Sequence, residues 1–286
     1  MSLSRRSFLK KSGVMAAGLT AASFPFLKAC GTPEEETMPF GIQLYTLRDI
    51  IADDPRGILK QLSEFGYKQI ESYEGPMGIY WQMGNIGFKN YLDELGMTLI
   101  STHANVFEDF ERKVAEAAEI GVEHIISPWI GPQETLDDYR RIAGQFNELG
   151  RIASNAGLRF AYHNHAYTFE LQEGEYPQDV LMGNTDPDLV DFQLDIYWVA
   201  AAGENPIDWI RKYPNRFVSS HVKDLANGDD PESVTLGTGT LDYQEILPVA
   251  KENGMKYFIV EQEAYTGTTP IDSARDNAQF MKQLRI

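Results

Sequence analysis

The chain has 286 residues, with 25 Lys and Arg against 42 Asp and Glu, a formal charge of −17. Hydrophobic residues make up 43% and aromatics 12%, a composition that excludes disordered, collagenous and coiled-coil chains. A single cysteine excludes a disulfide scaffold or a multi-cysteine zinc cluster, and the acidity opposes nucleic acid as a partner, because phosphates are held by Lys and Arg.

The N-terminus reads Arg5-Arg6-Ser7-Phe8-Leu9-Lys10, then a weakly apolar run from Ser12 to Leu27, and the first acidic residue is Glu34. A basic region followed by an apolar one is the layout of a secretory signal, and the run falls short of the roughly 20 apolar residues of a spanning helix. The paired arginines resemble a twin-arginine export signal. Leu27-Lys28-Ala29-Cys30 is similar to a lipobox, with Lys28 the departure. The expectation is a signal peptide over residues 1–29, a lipidated Cys30 and a polar tether over residues 30–38. Export would leave a periplasmic or outer-membrane-anchored lipoprotein. Losing residues 1–29 removes five basic residues and no acidic one, which takes the charge from −17 to −22. Membrane attachment would then rest on the lipid alone.

From Phe40 onward, short apolar runs alternate with longer amphipathic ones. The pattern predicts strands over Phe40–Leu44, Gln69–Ser72, Thr98–Thr102, His124–Ser127, Leu158–His163, Val190–Asp195, Phe217–His221 and Tyr257–Glu261. It predicts helices over Pro55–Phe65, Phe88–Leu95, Phe107–Ile120, Leu136–Ala156, Pro206–Lys212, Tyr243–Asn253 and Ile271–Leu284. Several are entered by Asp, Thr or Asn and left by Gly. Strand starts recur about every 30 residues, which is βαβ spacing. The fold expected is α/β, a single (β/α)8 TIM barrel over residues 39–286. A doubly wound sheet fits less well, since no glycine-rich phosphate turn follows the first strand. Gly237-Thr238-Gly239 is too short and too late for one, and reads as a loop turn. The Tyr73–Gly87 and Asn164–Pro187 stretches read as loops covering a site.

In such a barrel, chemistry sits where the strands end. Glu71 and Glu74 follow the second strand, His103 the third, and Tyr162-His163-Asn164-His165 the fifth. The sixth ends on Asp195-Ile196-Tyr197-Trp198, the seventh on His221-Val222-Lys223-Asp224 and the eighth on Glu261-Gln262-Glu263. The remaining histidine, His124, opens the fourth strand at the opposite rim and reads as structural. His163, Asp195, His221 and Glu261 stand on four consecutive strands and converge if the barrel closes. Two imidazoles and two carboxylates suit one borderline divalent ion such as Mn, Co, Zn or Fe(II). His165 shares its strand parity with His163, so either is a candidate; His163 is preferred as nearer the strand.

Those segments, with Gly41-Ile42-Gln43-Leu44-Tyr45-Thr46-Leu47-Arg48-Asp49 and Leu236-Gly237-Thr238-Gly239-Thr240-Leu241-Asp242, resemble the xylose isomerase-like TIM-barrel superfamily over Pro39 to Ile286. Its members include sugar phosphate isomerases/epimerases, tagatose 3-epimerase, inosose dehydratase and endonuclease IV. The resemblance implies one divalent metal held by Glu, Asp, His and Glu from strands five to eight. The last three map on Asp195, His221 and Glu261. The first maps on His163, a departure. The epimerases pass a proton between two glutamates on opposite faces of the substrate, so that mechanism does not carry over unchanged. The three-zinc endonucleases need a basic DNA surface that this acidic chain lacks.

A metal chelating a carbonyl and its neighbouring hydroxyl stabilises the enediolate left when the α-proton departs. Glu261 is the candidate base. His103 and His165 are candidate proton donors, expected to titrate near neutrality. Lys223 is a candidate for neutralising oxyanion charge, with a surface pair to Asp224 as the competing reading. Tyr45, Glu71, Trp81, Trp129, Asn164 and Trp198 are candidate substrate contacts, with barrel packing as the alternative for the tryptophans. Export and acidity favour a neutral sugar, keto sugar or glycoside over a sugar phosphate. The first expectation is therefore a metal-dependent sugar isomerase or epimerase. The second is a lyase or dehydratase on a 3-keto-glycoside or keto-inositol, in which the same proton abstraction precedes β-elimination. A silent sugar-binding lipoprotein is the third.

Overall fold

The computed structural model describes residues 38–228 and 232–285. The expected signal peptide, the expected lipidation site Cys30 and all of the expected tether but Met38 lie outside the described residues. In chain order the strands are β1 (Gly41–Gln43), β2 (Gln69–Tyr73), β3 (Thr98–His103), β4 (His124–Ser127), β5 (Arg159–His163), β6 (Val190–Asp195), β7 (Phe217–Val222), β8 (Asp224–Leu225), β9 (Ser233–Val234) and β10 (Tyr257–Val260). Eight of them close a parallel barrel in the order β1-β10-β7-β6-β5-β4-β3-β2, while β8 and β9 form a separate antiparallel ribbon. Closure runs through Gly41, which pairs with Ile259. A Cβ on Gly41 would stand 2.6 Å from the tip of the Ile259 side chain and 3.0 Å from Gln69 O, so a larger residue here would have to push its neighbours aside.

The helices are α1 (Pro55–Phe65), α2 (Gly84–Glu94), α3 (Phe110–Glu119), α4 (Leu136–Asn155), α5 (Pro177–Gly183), α6 (Ile196–Ala201), α7 (Pro206–Lys212), α8 (Tyr243–Glu252) and α9 (Pro270–Met281). Local chemistry sets their ends. Asp54 caps α1 by accepting from Gly57 N, and Pro55 occupies its first turn. Thr135 and Asp138 form a reciprocal capping box on α4. Leu59, Leu62, Phe88, Phe146 and Ala278 are buried in the one hydrophobic core that joins helices to strands.

All eight expected strands form the barrel. The expected loop over residues 164–187 is only partly a loop: it holds a 3-10 turn at Ala166–Phe169 and α5. At seven residues α5 is too short to show a helical period. α6 was also hidden, because it begins on the residue after β6. Gly237-Thr238-Gly239 is the expected loop turn, and it wraps the buried Asp224. That carboxylate accepts the backbone N–H of Leu225, Gly237, Gly239 and Leu241 at 2.9–3.1 Å. A Cβ on Gly239 would meet Asp224 Oδ1 and Leu225 O at 2.3 Å.

Inside the barrel, alternate strand residues point at the axis, and here many are polar. At the N-terminal rim Asp191 accepts from Arg159 at 2.7 and 2.8 Å and stands 3.3 Å from His124 Nε2. His124 therefore has a structural partner. Burial alone would push the Asp191 carboxyl up, but Arg159 and His124 outweigh it and hold the carboxyl below its usual range. A lowered folded-state value means stability that is present above the unfolded pKa of about 3.9 and lost as pH falls through the folded value. Asp191→Asn should flatten the loss of stability on acidification below about pH 4. Urea melts of both proteins from pH 6 to 3 test this; parallel curves would contradict it.

Candidate functional site

One layer above Asp191, β6 presents Gln193 and then Asp195. Gln193 belongs to a buried network centred on Glu71. The Glu71 carboxylate accepts from Gln43 Nε2 at 2.8 Å, Ser101 Oγ at 2.5 Å, Gln193 Nε2 at 2.8 Å and His221 Nε2 at 2.6 Å. Burial would raise its pKa, but His103 and His221 outweigh that and lower it well below the carboxylate norm. Glu71 has no exposed surface, so it orients histidines and touches no substrate, a correction to its expected role.

This network fixes the imidazoles. The Nε2–H of His221 points at Glu71, and the Nδ1–H of His163 points at Gln193 Oε1, 3.1 Å away. A histidine whose one nitrogen donates to a buried acceptor offers the other as a ligand. His221 Nδ1 lies 3.1 Å from Glu261 Oε2 and 3.8 Å from Asp195 Oδ2, and His163 Nε2 lies 3.8 Å from Asp195 Oδ2. The ligand atoms of Asp195, His221 and Glu261 all stand within 4.8 Å of one another. Neighbouring ligands on a divalent ion with bonds near 2.1 Å stand about 3 Å apart, so the group needs little adjustment to hold one. Asp195 caps α6 through Oδ1, which accepts from Trp198 N at 3.1 Å, while its buried Oδ2 makes no hydrogen bond. That oxygen faces two imidazoles and the Lys223 ammonium at 3.1 Å, so positive charge already meets it and a divalent ion would share it with Lys223. His103, His163 and His221 also group within 4.8 Å, but His103 Nε2 is already committed to Gln193 Oε1 at 2.7 Å and to Glu71 Oε1 at 3.1 Å.

Lys223 is fully buried beside this group. Its Nζ stands 3.1 Å from both Asp195 Oδ2 and Glu261 Oε2, bonds Glu263, and lies over the rings of Tyr197 and Trp198 at 4.8 and 4.9 Å. Burial would lower its pKa, but the three carboxylates outweigh that and raise it well above the usual value. The surface pair with Asp224 does not form, since that carboxylate is spent on the backbone of the 237–241 turn. Burial also opposes the charge on His221, yet Glu261 and Glu71 hold its pKa well above normal. The Glu261 carboxyl is held well below its norm against burial, by Lys223 and His221. Glu263 is raised by burial and by Glu261, with Lys223 opposing.

Above these residues opens a cavity of about 310 Å³, lined by Tyr45, Tyr73 and Glu74, by His103, Asn105, Trp129, His163 and His165, and by Glu261 and Glu263. Among the described residues no Arg or Lys lines it. Glu261 and Glu263 follow β10; the strand across the barrel is β4, flanked by β3 and β5, which carry His103, His163 and His165. Carboxylates and imidazoles thus face each other over the cavity.

Tyr45 and Trp129 line the cavity as expected substrate contacts would. Other expectations change. Trp81 is buried behind Tyr73, edge-on at 5.3 Å, with its N–H on Ser72, so it supports the wall and does not reach the cavity. Asn164 is buried and spends its side chain on the backbone of Asp195, at 3.0 and 3.2 Å, which positions that carboxylate. Trp198 packs on His165 at 5.4 Å and under Lys223, outside the cavity lining. His165 does not titrate near neutrality: burial among Trp129, Tyr167 and Trp198 pushes its pKa down to about 4. Gln43, Tyr73, Ser101, Asn105, Gln193 and Glu263 are given no role by the sequence reading. Gln193 and Glu263 carry a readable signal, since each is two residues from a candidate ligand and so shares its face.

The model of a family described as xylose isomerase-like TIM barrel matches residues 59–284. The chain belongs to this family. It is similar to a solved sugar phosphate isomerase/epimerase from Parabacteroides distasonis, 26% identical with a TM-score of 0.75, covering 88% of this chain and 96% of that one. A xylose isomerase-like TIM barrel protein from Mycobacterium smegmatis, solved in complex with magnesium, shares the fold at 14% identity and a TM-score of 0.63, over 86% of this chain and 96% of that one. Inosose dehydratase of Clostridium beijerinckii is 28% identical over 165 residues, 51% of this chain and 55% of that protein. The chain thus spans about half the length of the curated relatives it matches.

Proposed function

We propose that the protein is a divalent-metal-dependent lyase that eliminates across the α and β carbons of a neutral keto sugar or keto-cyclitol. The observation that carries this reading is the one-sided placement of carboxylates. Two-glutamate epimerisation needs bases on opposite faces of the substrate, whereas Glu261 and Glu263 follow one strand and imidazoles stand across from them. Glu74, the other carboxylate at the cavity, is bound to Lys113 at 2.7 Å and to the Asn105 N–H at 2.8 Å. The similarity to inosose dehydratase supports the same reading.

His163, Asp195, His221 and Glu261 would hold the metal. When bound it supplies Lewis-acid polarisation of a carbonyl and its neighbouring oxygen. Glu263 is the base: 34% of its side chain is exposed to the cavity, against 6% for Glu261, which stays at the ligand cluster. It takes the α-proton, the C–H electrons form the new double bond, and the bond from the β carbon to oxygen breaks. His103 and His165, which line the cavity across from Glu263, stand where the departing oxygen needs hydrogen bonds, and the proton taken by Glu263 passes on to that oxygen. Lys223 bridges Glu263 and Glu261 and offsets their mutual repulsion. Tyr45 and Trp129 offer ring faces to the apolar side of the sugar. Among the described residues no Arg or Lys lines the cavity, which supports an uncharged substrate, because phosphates are gripped by such groups. Sugar isomerisation or epimerisation is the second reading, favoured by the similarity to the isomerase/epimerase from P. distasonis. The twin-arginine-like N-terminal sequence supports a reaction outside the cytoplasm, as part of the same proposal.

Incubation of the metal-loaded protein with keto sugars in D2O tests the reaction. Elimination gives an enone and a released hydroxyl compound; deuterium in an otherwise intact sugar would overturn it in favour of isomerisation or epimerisation. Glu263→Gln should keep the metal and lose about 10²- to 10⁴-fold in turnover. Unchanged turnover would remove Glu263 from the mechanism.

A further inference from the structure

Beyond Trp129 the cavity continues. A second hollow, of about 500 Å³, shares Glu74, Asn105 and Trp129 with the first and adds Phe107 and Glu108. Phe107 and Trp129 are each 53% exposed, an expensive way to leave two large rings unless something covers them. The loop that carries Phe107 is pinned. Asn105 Oδ1 accepts from Phe107 N at 3.1 Å, and the buried Lys113 ammonium donates to Glu74 at 2.7 Å and to Asn105 O at 2.8 Å. Aromatic faces rimmed by carboxylates and an amide suit a ring that has apolar C–H faces and many hydroxyl donors. No Arg or Lys lines this hollow among the described residues, so it is not built for an anion. A plain aromatic group would offer no hydroxyl donor to Glu108 or to Glu74 Oε1, the oxygen that Lys113 and the Asn105 N–H do not use.

We infer that the second hollow is a subsite for a neutral glycosyl unit, so that the substrate is a glycoside of two units with the ketone-bearing ring in the inner cavity. This rests on the lyase reading for the reaction and deepens it. The departing oxygen is then the glycosidic one: its bond to the β carbon breaks, it keeps the electron pair, and with one proton it leaves as the hydroxyl of the second sugar. The first ring retains the new carbon–carbon double bond, and no further reactant is needed.

Binding separates the subsite from the chemistry. Metal-loaded protein is titrated by calorimetry with methyl glucosides and with glucose disaccharides, α- and β-linked, none of which carries the ketone. A disaccharide should bind about tenfold more tightly than the matching methyl glucoside. Phe107→Ala and Glu108→Gln, both surface substitutions checked by thermal unfolding, should erase most of that advantage. Equal binding of the two ligand classes, or an advantage that survives both substitutions, overturns the subsite. Tighter binding of phenyl glucosides than of any disaccharide overturns its glycosyl character. A Phe107-dependent advantage without product from any keto glycoside supports the subsite and overturns the lyase reading alone.

Discussion

Glu261→Gln should cost at least about a hundredfold in metal affinity and a comparable or larger factor in turnover. The side chain is buried, accepts from Lys223, and faces His221 Nδ1 at 3.1 Å. Glutamine keeps its volume but removes one of two anionic ligands, and presents either a weaker carbonyl or an amide N–H to the cation. The loss should exceed that of Glu263→Gln in metal content, because Glu263 stands beside the cluster and outside its ligand set. Elemental analysis and steady-state kinetics on the same preparations check this. Full metal occupancy with unchanged turnover in Glu261→Gln would remove the residue from the ligand set.

Lys223→Met should destabilise the metal-free protein by about 3–5 kcal/mol, the range for leaving buried charge unpaired. Lys223 balances three carboxylates from the ends of two strands, β6 and β10, and has no surface exposed to water. Methionine fills much of its volume, so the loss is mainly electrostatic. The three carboxylates would then repel one another across a medium of low polarity. A divalent ion at Asp195 and Glu261 restores positive charge there. Added metal should therefore raise the melting temperature of Lys223→Met by more than that of the wild type. Equal melting temperatures of the two metal-free proteins would show that Lys223 does not hold the cluster together.

The barrel was legible because each strand is apolar, bounded by glycine or a capping residue, and spaced for a crossover helix. α5 and α6 were not, since segments this short follow from how the chain packs after β5 and β6 more than from a period of their own. The candidate ligands were legible because His, Asp and Glu are rare at apolar strand ends and four of them fell on neighbouring strands; the structure groups Asp195, His221 and Glu261. Glu71 and Asn164 were read as substrate contacts for the same reason. Their true place depends on depth: Glu71 lies below the cavity, and Asn164 turns back to the Asp195 backbone. Parity gives the face a residue lies on but not its layer along the axis. Trp81 shows the same limit, since its position behind Tyr73 follows from how the loop after β2 folds over. Lys223 was found by its spacing from His221, but its partners come from β6 and β10, and only closure of the barrel brings them together.

His163, Asp195, His221 and Glu261 are proposed to hold one divalent cation below the cavity. Elemental analysis of protein purified without chelators, followed by calorimetric titration of Mn, Co, Zn and Fe(II) into the chelator-stripped protein, tests it most directly. The predicted result is one tightly bound divalent ion per chain, lost on Asp195→Asn. Absence of any bound ion, with no heat of binding from these metals and no change in thermal unfolding, would contradict it.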